Sequence, residues 1–403
     1  MLKSVKNNYN MKNDFAFAVE NSTANFIPKN NLVCGSVEKL LPSLINDDGA
    51  IINLCFNSGW FALAGNIKGV LGAREVISFC LNDGKLDENE LDVLLSSVTS
   101  VGTVIVTGSE ELAMLVCKKY QAKKVKIIYL PLDFNYEFFI KHALEIVDNR
   151  VVLLDEKILA KCNRSAFVDC VRRILARKIL SVEIAVNQAI TGDKDKKQIE
   201  NILDESKKYL QKYLQTHLIV YLVISHLLSI VYEHLSGVEY IPSVAGEVLA
   251  KLNYSLSLRG EREYLIYKMI LRLYKFYFTN DTSFLLKRCG IAIQEEQINK
   301  LMSDCCLLDY SLPKTAYLSD NEIDAIKQKI YKDKKVIELL DNYLLELENE
   351  AQILKKEFGG RKYTVEHYNA KERAIALNLT PYLIKNKTAY ELLFASGIIE
   401  YFA

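Results

Sequence analysis

One short turn in the first half of the chain has residue types that suit an approach to a phosphate group. Residues 104–107 read as a buried strand that ends in Thr107-Gly108-Ser109, and Glu110 opens a helical pattern. Small residues between a strand and a helix let backbone N–H groups reach a pyrophosphate, whose charge the helix N-terminus stabilises. The turn has a single glycine, so a tight strand-to-helix connection without a ligand is the alternative interpretation.

The histidines form no recognisable catalytic or metal motif. His217 and His226 are nine residues apart, and His226 and His234 are eight apart, within one long helical pattern. At about 100° per residue, the first pair lies on opposite helix faces and the second pair about 80° apart. No Asp or Glu at ligand spacing completes either pair, so we expect histidines satisfied within a helical core. Gly-x-Ser-x-Gly, Walker A and His-Glu-x-x-His motifs are absent, which removes support for nucleophilic triads and P-loop chemistry.

The elements that must position these residues fall into two halves. Up to residue 155, β-branched runs alternate with helical patterns, which predicts a parallel sheet with helices on both faces. The predicted strands are 50–56, 75–80, 103–107, 125–130 and 151–154, and the helical patterns between them are 60–71, 88–97 and 110–119. The later helical patterns are 166–187, 196–236, 244–253, 261–277, 295–304, 320–358 and 370–402.

These patterns predict a polar N-terminal extension at 1–25 and two domains. The first, at 26–160, is a nucleotide-binding-like α/β domain with a parallel Rossmann-like sheet. The second, at 161–403, is all-helical. A parallel sheet of this kind binds ligands at the carboxyl ends of its strands, which is where Thr107 lies.

Composition narrows the class of protein. The 403 residues are 50% hydrophobic and 25% charged, as expected for a two-domain globular chain. Lys and Arg number 51 against 50 Asp and Glu, so no nucleic-acid partner is expected. The nine cysteines form no Cys-x-x-Cys pair and no secretion signal precedes them, which favours reduced thiols in a cytoplasmic protein. The uncharged stretch 213–232 contains polar residues and reads as a core helix rather than a membrane span.

Several segments follow an order and spacing that match one group of dehydrogenases. Residues 32–42 are similar to the group's first strand and helix, 57–65 to its first nucleotide-binding turn, and 152–159 to the strand before its helical domain. Arg259-Gly260-Glu261 lies where the group has His-Gly-Glu, and 376–393 is similar to its C-terminal helices. On these segments the chain resembles the iron-containing alcohol dehydrogenase and dehydroquinate synthase superfamily, especially the sn-glycerol-1-phosphate dehydrogenases.

The resemblance implies an NAD(P)-dependent dehydrogenase that reduces dihydroxyacetone phosphate or a related polyol phosphate. In that family a zinc or iron ion polarises the substrate hydroxyl in a cleft between two domains, and hydride moves to the nicotinamide. The positions that match its cofactor-binding segments are Asn57, Thr107, Gly108, Ser109 and Pro131. The resemblance also implies a homo-oligomer.

The cofactor segments depart from the family pattern. A Gly-Gly-Gly turn followed by Asp and Lys is here Thr107-Gly108-Ser109, with Ala113 and Val116 at roughly the Asp and Lys places. The next loop, residues 131–137, lacks the family's small hydroxyl residues. Asn57 has no carboxylate for the adenosine ribose.

The metal ligands depart further. The family's Asp falls near Arg173, its Glu-His-x-x-x-His segment appears as residues 247–252, and its last His is Arg259. An arginine keeps its proton and cannot ligate a cation, so we expect no metal at these positions.

Three interpretations of these positions stay open. The alignment is displaced, and Glu183 or Glu247 supplies a partial metal site. Alternatively cations have replaced the metal, and Arg173, Lys251 and Arg259, with Arg172, hold a phosphate or carboxylate. The third interpretation is that the arginines form surface or inter-domain ion pairs.

The functional hypotheses follow from these interpretations. The first is an oxidoreductase of the glycerol-1-phosphate dehydrogenase type with weak or lost activity. The second is a catalytically degenerate, metal-free relative that binds an anionic ligand or a protein partner. The third is a metal-independent enzyme on the same scaffold, which stabilises an oxyanion with Lys or Arg.

Overall fold

The computed structural model divides into two compact units. It describes residues 11–45, 49–56, 63, 66–72, 74–82, 88–120, 124–146, 148–192, 197–252, 257–285, 287, 295–305, 307, 318–331, 333–359, 368–385 and 388–399. The unit that we call the sheet unit comprises Met1–Phe167 and Ser206–Val231. The other, the helical unit, comprises Val168–Glu205 and Tyr232–Ala403. The domain limits predicted from the sequence stay a prediction.

A six-stranded parallel sheet forms the centre of the sheet unit. Its strands are β1 (Leu32–Cys34), β2 (Ala50–Phe56), β3 (Val76–Leu81), β4 (Val101–Thr107), β5 (Lys126–Leu130) and β6 (Arg150–Leu154). The strand order is β1-β6-β5-β4-β2-β3, and every neighbouring pair is parallel. The chain runs from β2 outwards to β3 and then returns past β2 to β4, so the order reverses between β2 and β4. The predicted α/β fold with a parallel sheet, followed by a largely helical part, is therefore confirmed.

Helices of the sheet unit connect the strands. They are α1 (Met11–Thr23), α2 (Val37–Leu44), α3 (Ile67–Leu71), α4 (Glu88–Ser96), α5 (Glu110–Lys119), α6 (Glu137–Glu145) and α7 (Glu156–Leu159). The predicted polar extension contains α1, because Phe15 and Val19 are one turn apart and bury a narrow apolar stripe. Helix α6 was not predicted, since its apolar residues follow the loop after β5 without a start signal.

The core explains why the central strands read as continuous apolar runs. Alternate residues of β2, Ile51 and Cys55, pack in one cluster with Val37 and Leu41 of α2. The intervening β2 residues Ile52, Asn53 and Leu54 are buried as well. A parallel sheet covered on both faces requires such runs rather than a polar and apolar alternation.

The remaining helices follow β6 and α7. They are α8 (Arg164–Ala176), α9 (Ile179–Thr191), α10 (Lys197–Thr216), α11 (Ile219–Ser236), α12 (Ile241–Leu252), α13 (Arg259–Thr279), α14 (Glu295–Asp304), α15 (Asp320–Tyr331), α16 (Lys334–Phe358), α17 (Ala370–Leu383) and α18 (Tyr390–Ala395). The division between the two units falls inside α8, α10 and α11. Helix α11 is the described helix that is long and apolar enough to cross a membrane, and 78% of it is buried, as the core-helix interpretation predicts.

Four predicted helical patterns each contain two helices, and two of the breaks have local causes. His217 has a left-handed backbone, φ +55°, which separates α10 from α11 and leaves the histidine outside both helices. The expected geometry of His217 relative to His226 was therefore wrong. Asp333 separates α15 from α16 because its carboxylate accepts the backbone N–H groups of Lys335 and Val336 at the start of α16.

The break between α8 and α9 lies at two buried cations, Arg177 and Lys178. Arg177 pairs with Glu233 at 2.9 Å, whereas Lys178 pairs with Glu346 and Glu350 on α16. The turn directs the two side chains to carboxylates on different helices. Buried cations need such partners, so tertiary pairing ends the helix here against its local propensity.

Candidate functional site

The turn after β4 lies at the carboxyl edge of the sheet. Thr107 is the last residue of β4, Gly108 has φ +88°, and the Ser109 hydroxyl caps α5 by accepting the Leu112 N–H at 3.1 Å. The Gly108 N–H donates to the Leu130 carbonyl at 2.9 Å, which ties the turn to the end of β5. A positive φ favours glycine, so the turn needs a glycine at this position.

The strand register brings most of the predicted cofactor residues together. Thr107 pairs with Leu130 on one side and with Cys55 of β2 on the other. Buried Pro131 directly follows β5, so it lies at the same edge as Thr107, Gly108 and Ser109. Because the strand order reverses between β2 and β4, this edge is the switch point where parallel sheets bind ligands. Asn57, which follows β2, lies outside the described residues.

One polar atom at this edge has no partner in the structure. The Thr107 side chain is buried, and its hydroxyl oxygen makes no hydrogen bond with any described residue. An unsatisfied buried hydroxyl is costly, and native proteins retain few of them. At the end of a strand beside a helix N-terminus, such a hydroxyl suits a bound ligand.

Tyr129 fixes the loop beside the turn. Its hydroxyl lies 2.6 Å from the Asn135 carbonyl and 3.3 Å from the Gly108 carbonyl, so one side chain joins the loops that follow β4 and β5. Burial raises the pKa of Tyr129 well above its usual value, helped by the nearby carboxylates Glu110 and Asp133. The phenol therefore stays protonated and acts as a neutral donor.

A buried polar cluster lies next to the same loop, around His226 of α11. The His226 Nε2 lies 3.0 Å from the Glu137 carboxylate, and its Nδ1 lies 3.1 Å from the Tyr136 hydroxyl. Glu110, the first residue of α5, accepts the Phe138 N–H at 2.7 Å, which joins the starts of α5 and α6. All three cluster side chains are buried, so the cluster positions elements rather than meeting a substrate.

The expectation that His226 is satisfied inside a helical core was only partly right. It is satisfied, but its acidic partner comes from α6 in the sheet unit, 89 residues away in sequence. Helix periodicity relates residues that are a few positions apart, so it could not predict a contact between residues this distant in sequence. The available signal was the pair Tyr136-Glu137, two polar side chains directly before the apolar residues 138–140.

Arg259 lies where the family resemblance places the last metal ligand, and its guanidinium group forms an ion pair with a glutamate. Arg259 Nε donates to Glu263 at 2.7 Å, and a terminal N–H donates to the Ser243 hydroxyl at 3.1 Å. Arg173, buried on α8, lies 3.3 Å from the Asp169 carboxylate. Lys251 is exposed near the end of α12.

An aspartate does lie near the predicted ligand position, one helical turn before Arg173. Asp169 uses one carboxylate oxygen to accept the Gly260 N–H at 2.6 Å and directs the other towards Arg173. Val248, where the family has a histidine, is buried and has no donor atom. The residues present therefore do not fit a divalent cation.

The displaced-alignment interpretation finds no support in the described residues. Glu247 is exposed on α12, whereas Glu183 is buried and accepts hydrogen bonds from the Tyr274 hydroxyl and from the Ala389 N–H at 2.9 Å. Within the described ranges, no group of three His, Cys, Asp or Glu residues is arranged to hold a metal. Arg173 and Arg259 each pair with an acid one turn away in their own helix. The third interpretation is met only in that these arginines are paired, since the Arg173 pair is buried and both pairs lie within single helices.

Known proteins resemble this chain in fold and hardly in sequence. An alcohol dehydrogenase from Oenococcus oeni is 9% identical over 88% of this chain and 92% of its own, with a TM-score of 0.51. A glycerol dehydrogenase from Schizosaccharomyces pombe is 12% identical over 84% and 95%, with a TM-score of 0.49. No protein-family model and no curated protein matches the sequence. The chain therefore shares the fold of the Oenococcus alcohol dehydrogenase, in agreement with the resemblance in the sequence.

Proposed function

We propose that this chain binds a nicotinamide dinucleotide at the carboxyl ends of β2, β4 and β5 and acts as an oxidoreductase. The substrate is an alcohol or a polyol phosphate, by resemblance the dihydroxyacetone phosphate of sn-glycerol-1-phosphate dehydrogenases. The observation that supports this is the turn Thr107-Gly108-Ser109 at the switch point of the sheet, whose Thr107 hydroxyl has no partner among the described residues.

The turn has three properties that suit a pyrophosphate. Gly108 presents no side chain, so the backbone is open to close approach. The start of α5 adds the positive end of a helix dipole. Glu110, whose charge would oppose a phosphate there, is held towards α6 by the Phe138 N–H.

The bound nicotinamide would supply hydride transfer, and the chain would supply binding and orientation. Thr107 and Ser109 would hold the pyrophosphate, and Tyr129 keeps the neighbouring loop in place. No step passes through a metal ion, because Asp169, Val248 and Arg259 do not fit one.

A second function is a metal-free relative that binds an anionic ligand or a protein partner without turnover. Two buried contacts of Asp169, with Gly260 and Arg173, favour it, because they occupy the carboxylate one helical turn from the position of the family's Asp ligand. The anion site predicted at Arg173, Lys251 and Arg259 would then rely mainly on Lys251, since both arginines are neutralised by acids.

Calorimetric titration of the purified protein with NADH and NADPH, followed by assay of dihydroxyacetone phosphate reduction, separates these functions. Saturable binding with turnover supports the first function, and binding without turnover supports the second. No binding of either nucleotide contradicts the proposed cofactor site. Elemental analysis of the same sample tests the metal: stoichiometric zinc or iron would contradict a metal-free centre.

We also propose that the protein is a cytoplasmic homo-oligomer, following the resemblance. Light scattering after size-exclusion chromatography measures the assembly, and a monomeric mass contradicts it.

A further inference from the structure

A cavity of about 150 Å³ lies within the helical unit, between α13 and α17 and apart from the residues of the candidate cofactor site. Its apolar lining includes Met269, Leu273, Leu377 and Ile399. A dry cavity of about this size accommodates a molecule as large as benzene.

Two arginines line the same cavity, and neither has an acidic partner. Arg272 is exposed, and Arg373 is half-buried and donates one N–H to the Tyr368 carbonyl at 3.1 Å. In the described part of the chain, neither guanidinium forms an ion pair with a carboxylate. Glu372, next to Arg373, is occupied by the Asn369 N–H in the capping box of α17.

Three other arginines of the helical unit do have acidic partners. Arg173, Arg177 and Arg259 each lie against an aspartate or glutamate in the same unit. The helical unit thus provides acids for these three cations, whereas no acid among the described residues pairs with the two cations at the cavity.

The surroundings add positive potential at the cavity. Lys268 lies one helical turn before Arg272, and its pKa is lowered by burial first and then by Arg272 and Arg172. Ala370, the first residue of α17, also lines the cavity, so the positive end of that helix dipole is close. An anion would relieve this repulsion.

We propose that this cavity binds a small carboxylate with a compact apolar body, such as an aromatic ring. The carboxylate would accept hydrogen bonds from Arg272 and Arg373, for which planar guanidinium groups are suited. The apolar body would lie against Met269, Leu273 and Leu377. Inorganic phosphate would pair with the arginines but would make no contact with the apolar lining of the cavity.

Calorimetric titration of the full chain with benzoate tests the site. We expect saturable binding with a Kd of roughly 10 µM to 1 mM, the range of an efficient ligand of this size. Benzyl alcohol keeps the ring without the charge, and acetate keeps the charge without the ring. Both should bind at least about 10-fold more weakly, because each lacks one of the two contributions.

Arg272→Gln and Arg373→Gln should each weaken benzoate binding about 10-fold or more. Lys275→Gln is the matched control: it removes a positive charge from the same helix, but Lys275 pairs with Asp341 and does not line the cavity. Circular dichroism of each variant establishes that it is folded. Equal affinity for benzyl alcohol, displacement of benzoate by an equal concentration of phosphate, or unchanged binding by both arginine variants would overturn the proposal.

Discussion

The Asp169 carboxylate accepts a 2.6 Å hydrogen bond from the Gly260 N–H, at the second residue of α13. The approach is close: a Cβ at position 260 would lie 2.2 Å from the Asp169 carbonyl oxygen and 2.8 Å from its carboxylate. A carboxylate at a helix N-terminus satisfies a free backbone donor and favours the helix dipole. Near the position where the family resemblance places a metal ligand, this chain uses an aspartate as a helix cap.

Gly260→Ala should destabilise the protein by about 2–4 kcal/mol, because backbone atoms of α8 and α13 would have to separate. Gly246→Ala on the neighbouring helix α12 is the matched control. A Cβ there would meet only ordinary contacts, the nearest at 3.5 Å, and alanine favours a helix by up to about 1 kcal/mol. Urea denaturation measures both free energies. Equal stability of the two variants would contradict the close contact.

Thr107→Val should separate stability from ligand binding. The variant keeps the shape of the side chain and removes a buried hydroxyl that has no protein partner, so the melting temperature should be unchanged or higher. If that hydroxyl contacts the dinucleotide, NADH affinity should fall about 10- to 150-fold, the loss of one hydrogen bond to a charged group. Thr191→Val, exposed on α9, is the control and should change neither quantity. A Thr107→Val protein with unchanged NADH affinity contradicts a role for this residue.

Glu137→Ala should destabilise the sheet unit by about 3–5 kcal/mol, because it leaves His226 buried without its acidic partner. Tyr136→Phe removes one hydrogen bond to the same ring and should cost about 1 kcal/mol. The comparison is His142→Ala, since His142 and Asp148 form a partly exposed pair 2.9 Å apart, worth about 1 kcal/mol or less. Chemical denaturation measures the free energy of unfolding of the three variants and so ranks the three contacts by the stability that each contributes. A loss at Glu137 no larger than at His142 would show that the buried pair contributes little.

Glu183 should make the helical unit less stable as the pH rises. Burial raises its pKa from 4.5 to about 7, although the Tyr274 hydroxyl and the N–H groups of Ala389 and Tyr390 stabilise its charged form. The folded state therefore binds more protons than the unfolded state between these values, so stability falls from about pH 4.5 to pH 7 and stays low above.

Glu183→Gln removes this titration, so its free energy of unfolding relative to the parent should increase by about 3 kcal/mol between pH 4.5 and pH 8. Glu247→Gln, exposed on α12, provides the control and should leave the pH profile unchanged. Denaturation at a series of pH values measures both differences. A constant difference between parent and Glu183→Gln across this range would contradict the raised pKa.

Most strands and helices of the fold could be predicted, because local sequence patterns define them. The strand that ends at Thr107, the turn at Gly108 and the helix that begins at Glu110 each occupy ten neighbouring positions or fewer. Hydrophobic periodicity and capping residues identify such segments directly. The family resemblance, rather than a local pattern, gave Pro131 as a cofactor position. Pro131 lies beside this turn because β4 and β5 are neighbours in the parallel sheet.

Contacts between distant positions could not be predicted in this way. Glu137 and His226 are 89 residues apart, and Asp169 and Gly260 are 91 apart. Helix periodicity also could not find the break at Arg177, because its cause is a carboxylate on another helix. The acids beside Arg173 and Arg259 are different, because they are i,i+4 partners that helix spacing places together, and they neutralise two cations of the predicted anion site.

The discontinuous composition of the sheet unit has a consequence for how the protein matures on the ribosome. Residues 206–231 complete that unit, yet they are synthesised after 38 residues of the other one. Synthesis proceeds at about 5–20 residues per second, so several seconds pass between the synthesis of Glu137 and that of its partner His226. During that interval the nascent sheet exposes apolar surface, and a chaperone that binds nascent chains should associate with it until α11 arrives.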